Sequence, residues 1–175
     1  MSTPWPLPIR LSEVDRGPVR LAPEADAATR ALIAKAIGVD ALDELEAKAT
    51  LKPWLDGVEL DGRVKAVVTQ TCGISLEPFQ TRIEAAFIVH ALPPGSPNAP
   101  ANEGPELVID PEAEDPPDLL ETEVIDVGAY LVEHLALEVD PFPRKPDAVF
   151  EPPSGGGVIS PFAALEALKE RKPPE

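Results

Sequence analysis

Alternation is the strongest signal along this chain. Val58, Leu60, Gly62, Val64, Ala66 and Val68 share one side of an extended segment, and Glu59, Asp61, Arg63, Lys65, Val67 and Thr69 share the other. A period of two sustained over that length predicts a strand with one buried and one wet face. After the connector Cys72-Gly73-Ile74-Ser75-Leu76-Glu77-Pro78 a second long strand is predicted over 79–90, with Ile83, Ala85, Phe87 and Val89 turned inward and an antiparallel pairing to the first. The segment 45–55 alternates through Leu45, Ala47, Ala49 and Leu51 before a break at Pro53 and a turn at Asp56-Gly57. Near the start, Leu7, Ile9 and Leu11, then Val19 and Leu21, read as two short strands joined by a turn at Asp15-Arg16-Gly17.

Helical spacing appears in three places. Over 24–37, Ala28, Leu32 and Ala36 form a stripe with Ile33 and Ile37 beside it, started by Pro23-Glu24 and stopped by Gly38. Asp126 is placed to cap a helix carrying Val127, Tyr130, Leu131, His134 and Leu135, which must end before Pro141. Ser160-Pro161 offers a cap and first residue for a short helix over 160–170 with Phe162, Leu165 and Leu168 on one face. The expected fold class is α+β, an antiparallel β-sheet packed by two or three helices. Residues 1–140 form a single domain on this reading, and 141–175 a flexible Pro/Gly-rich arm ending in the short helix.

Proline and charge change the picture in the second half. The chain has 23 prolines and a formal charge of −16. Residues 91–140 contain thirteen acids and no Lys or Arg, so most of the net charge sits there. Prolines end regular structure, and the stretch about 93–117 therefore reads as a mobile acidic loop, interrupted by a short strand pattern at Glu106-Leu107-Val108-Ile109-Asp110. No apolar run is long enough to span a bilayer, the first residues lack a secretory pattern, and a single cysteine suits a reducing compartment. A cytoplasmic protein without membrane association is expected.

Catalytic chemistry finds little support. One cysteine and two histidines cannot furnish a structural zinc site. His90 and His134 read as boundary residues. Cys72 has no base or positive charge beside it in sequence, Ser154-Gly155-Gly156-Gly157 lacks the lysine of a phosphate loop, and the many carboxylates single out no acid–base pair. The expectation is a protein that binds a partner, with no enzymatic activity and no cofactor. Phosphate affinity rests on cations. The cationic candidates are Arg10, Arg16 and Arg20 near the start, Arg63 and Lys65 on the wet strand face, Arg144-Lys145 beyond the last core helix, and Lys169, Arg171 and Lys172, and DNA is not expected as a ligand.

Three segments in order resemble a known family. They are Val67-Val68-Thr69-Gln70-Thr71-Cys72-Gly73-Ile74-Ser75-Leu76-Glu77-Pro78-Phe79, then Leu119-Leu120 through Ile125-Asp126-Val127-Gly128, Val132 and Leu135-Ala136-Leu137 to Pro143-Arg144, and finally Ser160-Pro161-Phe162-Ala163-Ala164-Leu165 with Leu168-Lys169. Together they are similar to the YceD family, over roughly 45–170. Many members carry Cys-x-x-Cys-Leu in the first motif. Here Ser75 stands where the second cysteine would be, so no redox or metal role drawn from that pair transfers, and a turn with a buried Leu76 and a Pro78 exit is expected instead. The resemblance implies a non-enzymatic role in making, processing or stabilising 23S ribosomal RNA. The partner expected is a 23S rRNA precursor or a large-subunit ribosomal protein, with a nuclease as a further possibility. Arg63, Lys65, Arg144, Lys145 and Phe162 are the candidate contact residues, and Cys72, Leu76, Pro78, Asp126, Pro161 and Phe162 carry the family motif. Two alternatives stay open: an RNA-processing enzyme using Cys72 or a carboxylate cluster, and an adaptor or chaperone whose acidic block shields a basic ribosomal protein.

Overall fold

A computed structural model describes residues 3–100 and 116–150. The elements run β1 (Pro8–Arg10), α1 (Leu11–Val14), β2 (Val19–Leu21), α2 (Ala27–Ile37), β3 (Ala41–Trp54), β4 (Gly57–Thr71), β5 (Pro78–Leu92), β6 (Asp118–Leu119), β7 (Val124–Asp126) and α3 (Val127–Leu137). Helices and a largely antiparallel sheet segregate, which is the α+β class. The five-stranded sheet has the order β2-β3-β4-β5-β6, antiparallel except for the parallel β5–β6 contact, and β1 pairs with β7 in a separate two-stranded ribbon.

The alternation lays out the core. Val58, Leu60, Val64, Ala66 and Val68 of β4 are buried beside Ala47, Ala49 and Leu51 of β3 and Ile83 and Ala85 of β5. On this face α2 and α3 close the core with Ile33, Ala34, Val127, Leu131 and Leu135. Phe87 lies over Gly62, where a side chain would collide with its ring, and stacks on His134 of α3 with ring centroids 3.7 Å apart.

Several elements differ from the sequence reading. The two short N-terminal strands do not pair with each other: β1 pairs with β7 and β2 with β3, because the intervening α1 separates them. The strand 45–55 begins earlier, at Ala41, and passes through Pro53. Trp54 and Gly57 close a two-residue hairpin around Leu55-Asp56, so Pro53 occupies a non-hydrogen-bonded pair with Val58. Its missing donor falls on the side that β2, ending opposite Leu51, does not reach. In α2 the buried stripe is Ile33 and Ala34 with Ile37 partly covered, while Leu32 is 56% exposed. The helix starts at Asp26, whose side chain accepts from the Thr29 N–H at 2.7 Å, and stops at Gly38 in the left-handed region. The strand pattern 106–110 and the helix 160–170 with Pro161 and Phe162 lie outside the described residues.

The N-terminal segment clamps onto the start of α3. Asp126 Oδ1 accepts from the N–H groups of Leu7 (2.8 Å) and Gly128 (3.1 Å), and Val127 N–H donates to the Leu7 carbonyl. Trp5 is buried against this junction.

Candidate functional site

The helices cover one face of the long strands and leave the other open. Registers place its side chains in rows across β3, β4 and β5: Lys52–Glu59–His90, Thr50–Asp61–Ile88, Lys48–Arg63–Ala86, Glu46–Lys65–Glu84 and Glu44–Val67–Arg82. Asp43 is the extra residue of a bulge and accepts from Thr69 Oγ1 (2.7 Å) and Gln80 Nε2 (3.2 Å), tying three strands together at one end of the face. At the other end, Trp54 stacks on His90 with centroids 4.2 Å apart, and Glu59 reaches both Lys52 (3.2 Å) and His90 (3.4 Å). Those donors, Lys52 first, hold the Glu59 carboxyl below the usual carboxylate range.

Two rows on this face hold ion pairs, Lys52–Glu59 and Lys65–Glu84, and one row alone sets like charges opposite each other. Lys65 is neutralised by Glu84 at 3.0 Å. Lys48 and Arg63 sit directly opposite each other with Ala86 beyond, and among the described residues neither makes an ion pair. Opposed like charges destabilise a sheet by a few tenths of a kcal/mol or more. The doublet is therefore better placed for an anionic contact than for stability. Lys48 had no claim in sequence reading because it gains meaning only from the register with Arg63.

A second cluster forms where the β4–β5 connector meets the segment after α3. Cys72 is fully buried, and its Sγ accepts from the N–H groups of Ile74 (3.4 Å), Ser75 (3.4 Å) and Lys145 (3.3 Å). Hydrogen bonding from the Ser75 side chain, then from the Ser75 and Lys145 N–H groups, pulls the thiol down to about 6, against the opposing push of burial. The Lys145 ammonium pairs with Glu77 at 2.8 Å, Gly73 N–H donates to the Pro143 carbonyl, and Gln70 Nε2 donates to the Asp140 carbonyl at 3.0 Å. The chain beyond α3 is thus fastened to the end of β4. Leu76 is not buried: it is 76% exposed and takes a left-handed φ of 59° at the tight turn into Pro78. The turn closes through Leu76 N–H donating to the Cys72 carbonyl, which forces the side chain of Leu76 outward.

The sequence-derived residues thus fall in separate places. Arg63 and Lys65 lie on the open face; Cys72, Leu76, Pro78 and Lys145 lie at the connector, with Arg144 lining a hollow beside Phe79 and Arg82. Asp126 caps α3. Among the described residues no three His, Cys, Asp or Glu side chains converge as a metal site, and no helix is long and apolar enough to cross a membrane. In comparisons with known proteins, the family model described as "Large ribosomal RNA subunit accumulation protein YceD" matches residues 60–169. No curated protein and no solved structure matches the chain.

Proposed function

This chain belongs to the YceD family, and we propose that it promotes the making, processing or stability of 23S ribosomal RNA in the cytoplasm as a binding factor without catalytic activity. Its partner on this reading is a component of the large ribosomal subunit, either the rRNA precursor or a ribosomal protein. The charge distribution carries the choice between them. Residues 116–140 hold Asp118, Glu121, Glu123, Asp126, Glu133, Glu138 and Asp140 with no Lys or Arg, and 101–115 add six more acids. Such a block repels phosphate and attracts a basic surface, which favours a basic ribosomal protein shielded until assembly.

The doublet Lys48–Arg63 supports a second reading, direct contact with RNA across the open sheet face. Crosslinking of tagged protein in its native cells, with RNA and protein partners identified from one sample, separates the two. Crosslinks to a large-subunit ribosomal protein, lost steeply as salt rises in the purified complex, support shielding. Crosslinks to 23S precursor RNA that vanish in Lys48→Glu with Arg63→Glu support the RNA reading. A partner set without any ribosomal component overturns both.

A further inference from the structure

The outer edge of β5 is long, and among the described residues only Asp118–Leu119 pairs with it, opposite Ala91 and Leu92. Leu92 sends its carbonyl outward to the Leu120 N–H. Alternation along an unbulged strand then turns outward the N–H and C=O of His90, Ile88, Ala86, Glu84, Arg82 and Gln80. Among the described residues no strand lies beside this ladder. Phe79, Phe87 and Val89 project toward the core side yet stay only half-buried, whereas Val58, Leu60 and Val68 of β4 are closed off. Apolar surface and backbone groups are thus both incomplete along the same edge.

Natural edges are usually blunted by charge, proline or bulges. Here the charges are Arg82 and Glu84, of opposite sign and two residues apart on the same face. We propose that β5 pairs antiparallel with β5 of a second copy, in the register centred on Ile83, to make a continuous sheet through a two-fold dimer. Two copies can slide past each other only in steps of two if core and wet faces are to match. Centring on Arg82 or on Glu84 sets like charges opposite each other. Centring on Ala85 faces Arg82 with Ile88 and Glu84 with Ala86, leaving neither charge an opposite charge across the axis. Centring on Ile83 sets Arg82 opposite Glu84 twice, with those residues exchanging backbone hydrogen bonds. It also sets Phe79 opposite Phe87 twice and Pro78 opposite the exposed Ile88, and Phe–Phe pairs fall at the closer, non-hydrogen-bonded positions. Glu84 then lies between Lys65 of its own chain, at 3.0 Å, and Arg82 of the second copy. The edge is self-complementary as an isologous interface requires.

A strand-edge contact of this size falls at the low end of stable interfaces, so the mass of the full chain should be followed by sedimentation from about 1 μM to about 100 μM. A dimer of the 18.6 kDa chain is expected to populate within that range. Arg82→Glu leaves four acids facing one another across the axis and Glu84→Arg leaves four bases. Each is expected to weaken dimerisation at least tenfold. An equimolar mixture of the two variants restores complementarity in both rows, as does the double exchange Arg82→Glu with Glu84→Arg in one chain. Both side chains project from the open face, and circular dichroism checks that each variant folds. A chain that stays monomeric throughout the range, variants that dimerise as well as the parent, or a mixture that fails to recover would each overturn the proposal.

Discussion

Replacing Gly128 with alanine ought to help a helix, and in this protein it should do harm. Gly128 lies in the first turn of α3, where alanine is favoured over glycine by up to about 1 kcal/mol. A Cβ there would overlap the Trp5 carbonyl oxygen, stand 2.9 Å from the Trp5 carbonyl carbon and 3.3 Å from Leu7 Cγ. The obstacle is backbone, and that backbone is held in place by the Leu7–Asp126 and Val127–Leu7 hydrogen bonds. No rotamer change relieves it. The cheapest response is release of the N-terminal segment, which exposes Trp5, only 6% accessible in the native state. Losing a buried tryptophan costs about 3–5 kcal/mol. After the propensity gain, the net loss is about 2–4 kcal/mol. Urea unfolding in a Trp54→Phe background reads the result, with Trp5 emission reporting the clamp itself. The expected pattern is a lower midpoint together with red-shifted native emission. A midpoint equal to or above the parent's, with unshifted emission, would refute the account of the clamp.

Three further outcomes follow from the geometry. Asp126→Ala should cost about 1–2 kcal/mol, as cap removal does, and amide exchange should speed up at Leu7 and Gly128 while Thr29, capped by Asp26, is unaffected. Thiolate absorbance should titrate Cys72 with a midpoint of about 6, and Ser75→Ala should move that midpoint up toward the ordinary thiol value. The folded state releases this proton at lower pH than the unfolded chain does, so stability should climb as pH rises from about 6 toward the ordinary thiol pKa and fall again as pH drops through about 6. Cys72→Ala should abolish that slope in denaturant titrations repeated across pH. Lys48→Glu, by removing the like-charge contact with Arg63, should raise stability by about 0.2–1 kcal/mol in thermal unfolding; a fall would mean the opposed pair is not repulsive.

The sheet was legible because its signal is geometric and local. Six alternating positions of β4 all turned out buried, and the inward set of β5 was right in direction, with Phe87 and Val89 left half-covered by their edge position. The α3 cap and face were equally clear, since Asp126 and the i, i+3, i+4 pattern both act within one helix. Pairing partners were not legible. Short strands such as β1 and β2 carry no information on whom they pair with, and β1 found β7 across most of the chain. The stripe on α2 was misread because an alanine-rich helix offers nearly equivalent faces, and tertiary packing chose Ile33 and Ala34 over Leu32. In the candidate site, Arg63 was visible from its strand alone, but Lys48 acquires its role only through the register. The environment of Cys72 was hidden for the same reason: one of its backbone donors comes from Lys145, far along the chain.

The clamp between the N-terminus and α3 has a consequence in time. The β3–β4 hairpin closes over two residues and can form as soon as it leaves the ribosome, whereas Leu7 meets Asp126 across 119 positions. The entropy of closing a loop rises only about 0.6 kcal/mol per doubling of its length, so the long closure is affordable at equilibrium. During synthesis, however, the partner does not yet exist. Trp5, Leu7 and Ile9 must wait, undocked, until β7 and the start of α3 have been made. The stretch carrying β7 and α3 is therefore the one that lets the N-terminal segment dock, and truncated products ending before it would carry their N-terminal apolar residues in the open as a mark of being unfinished.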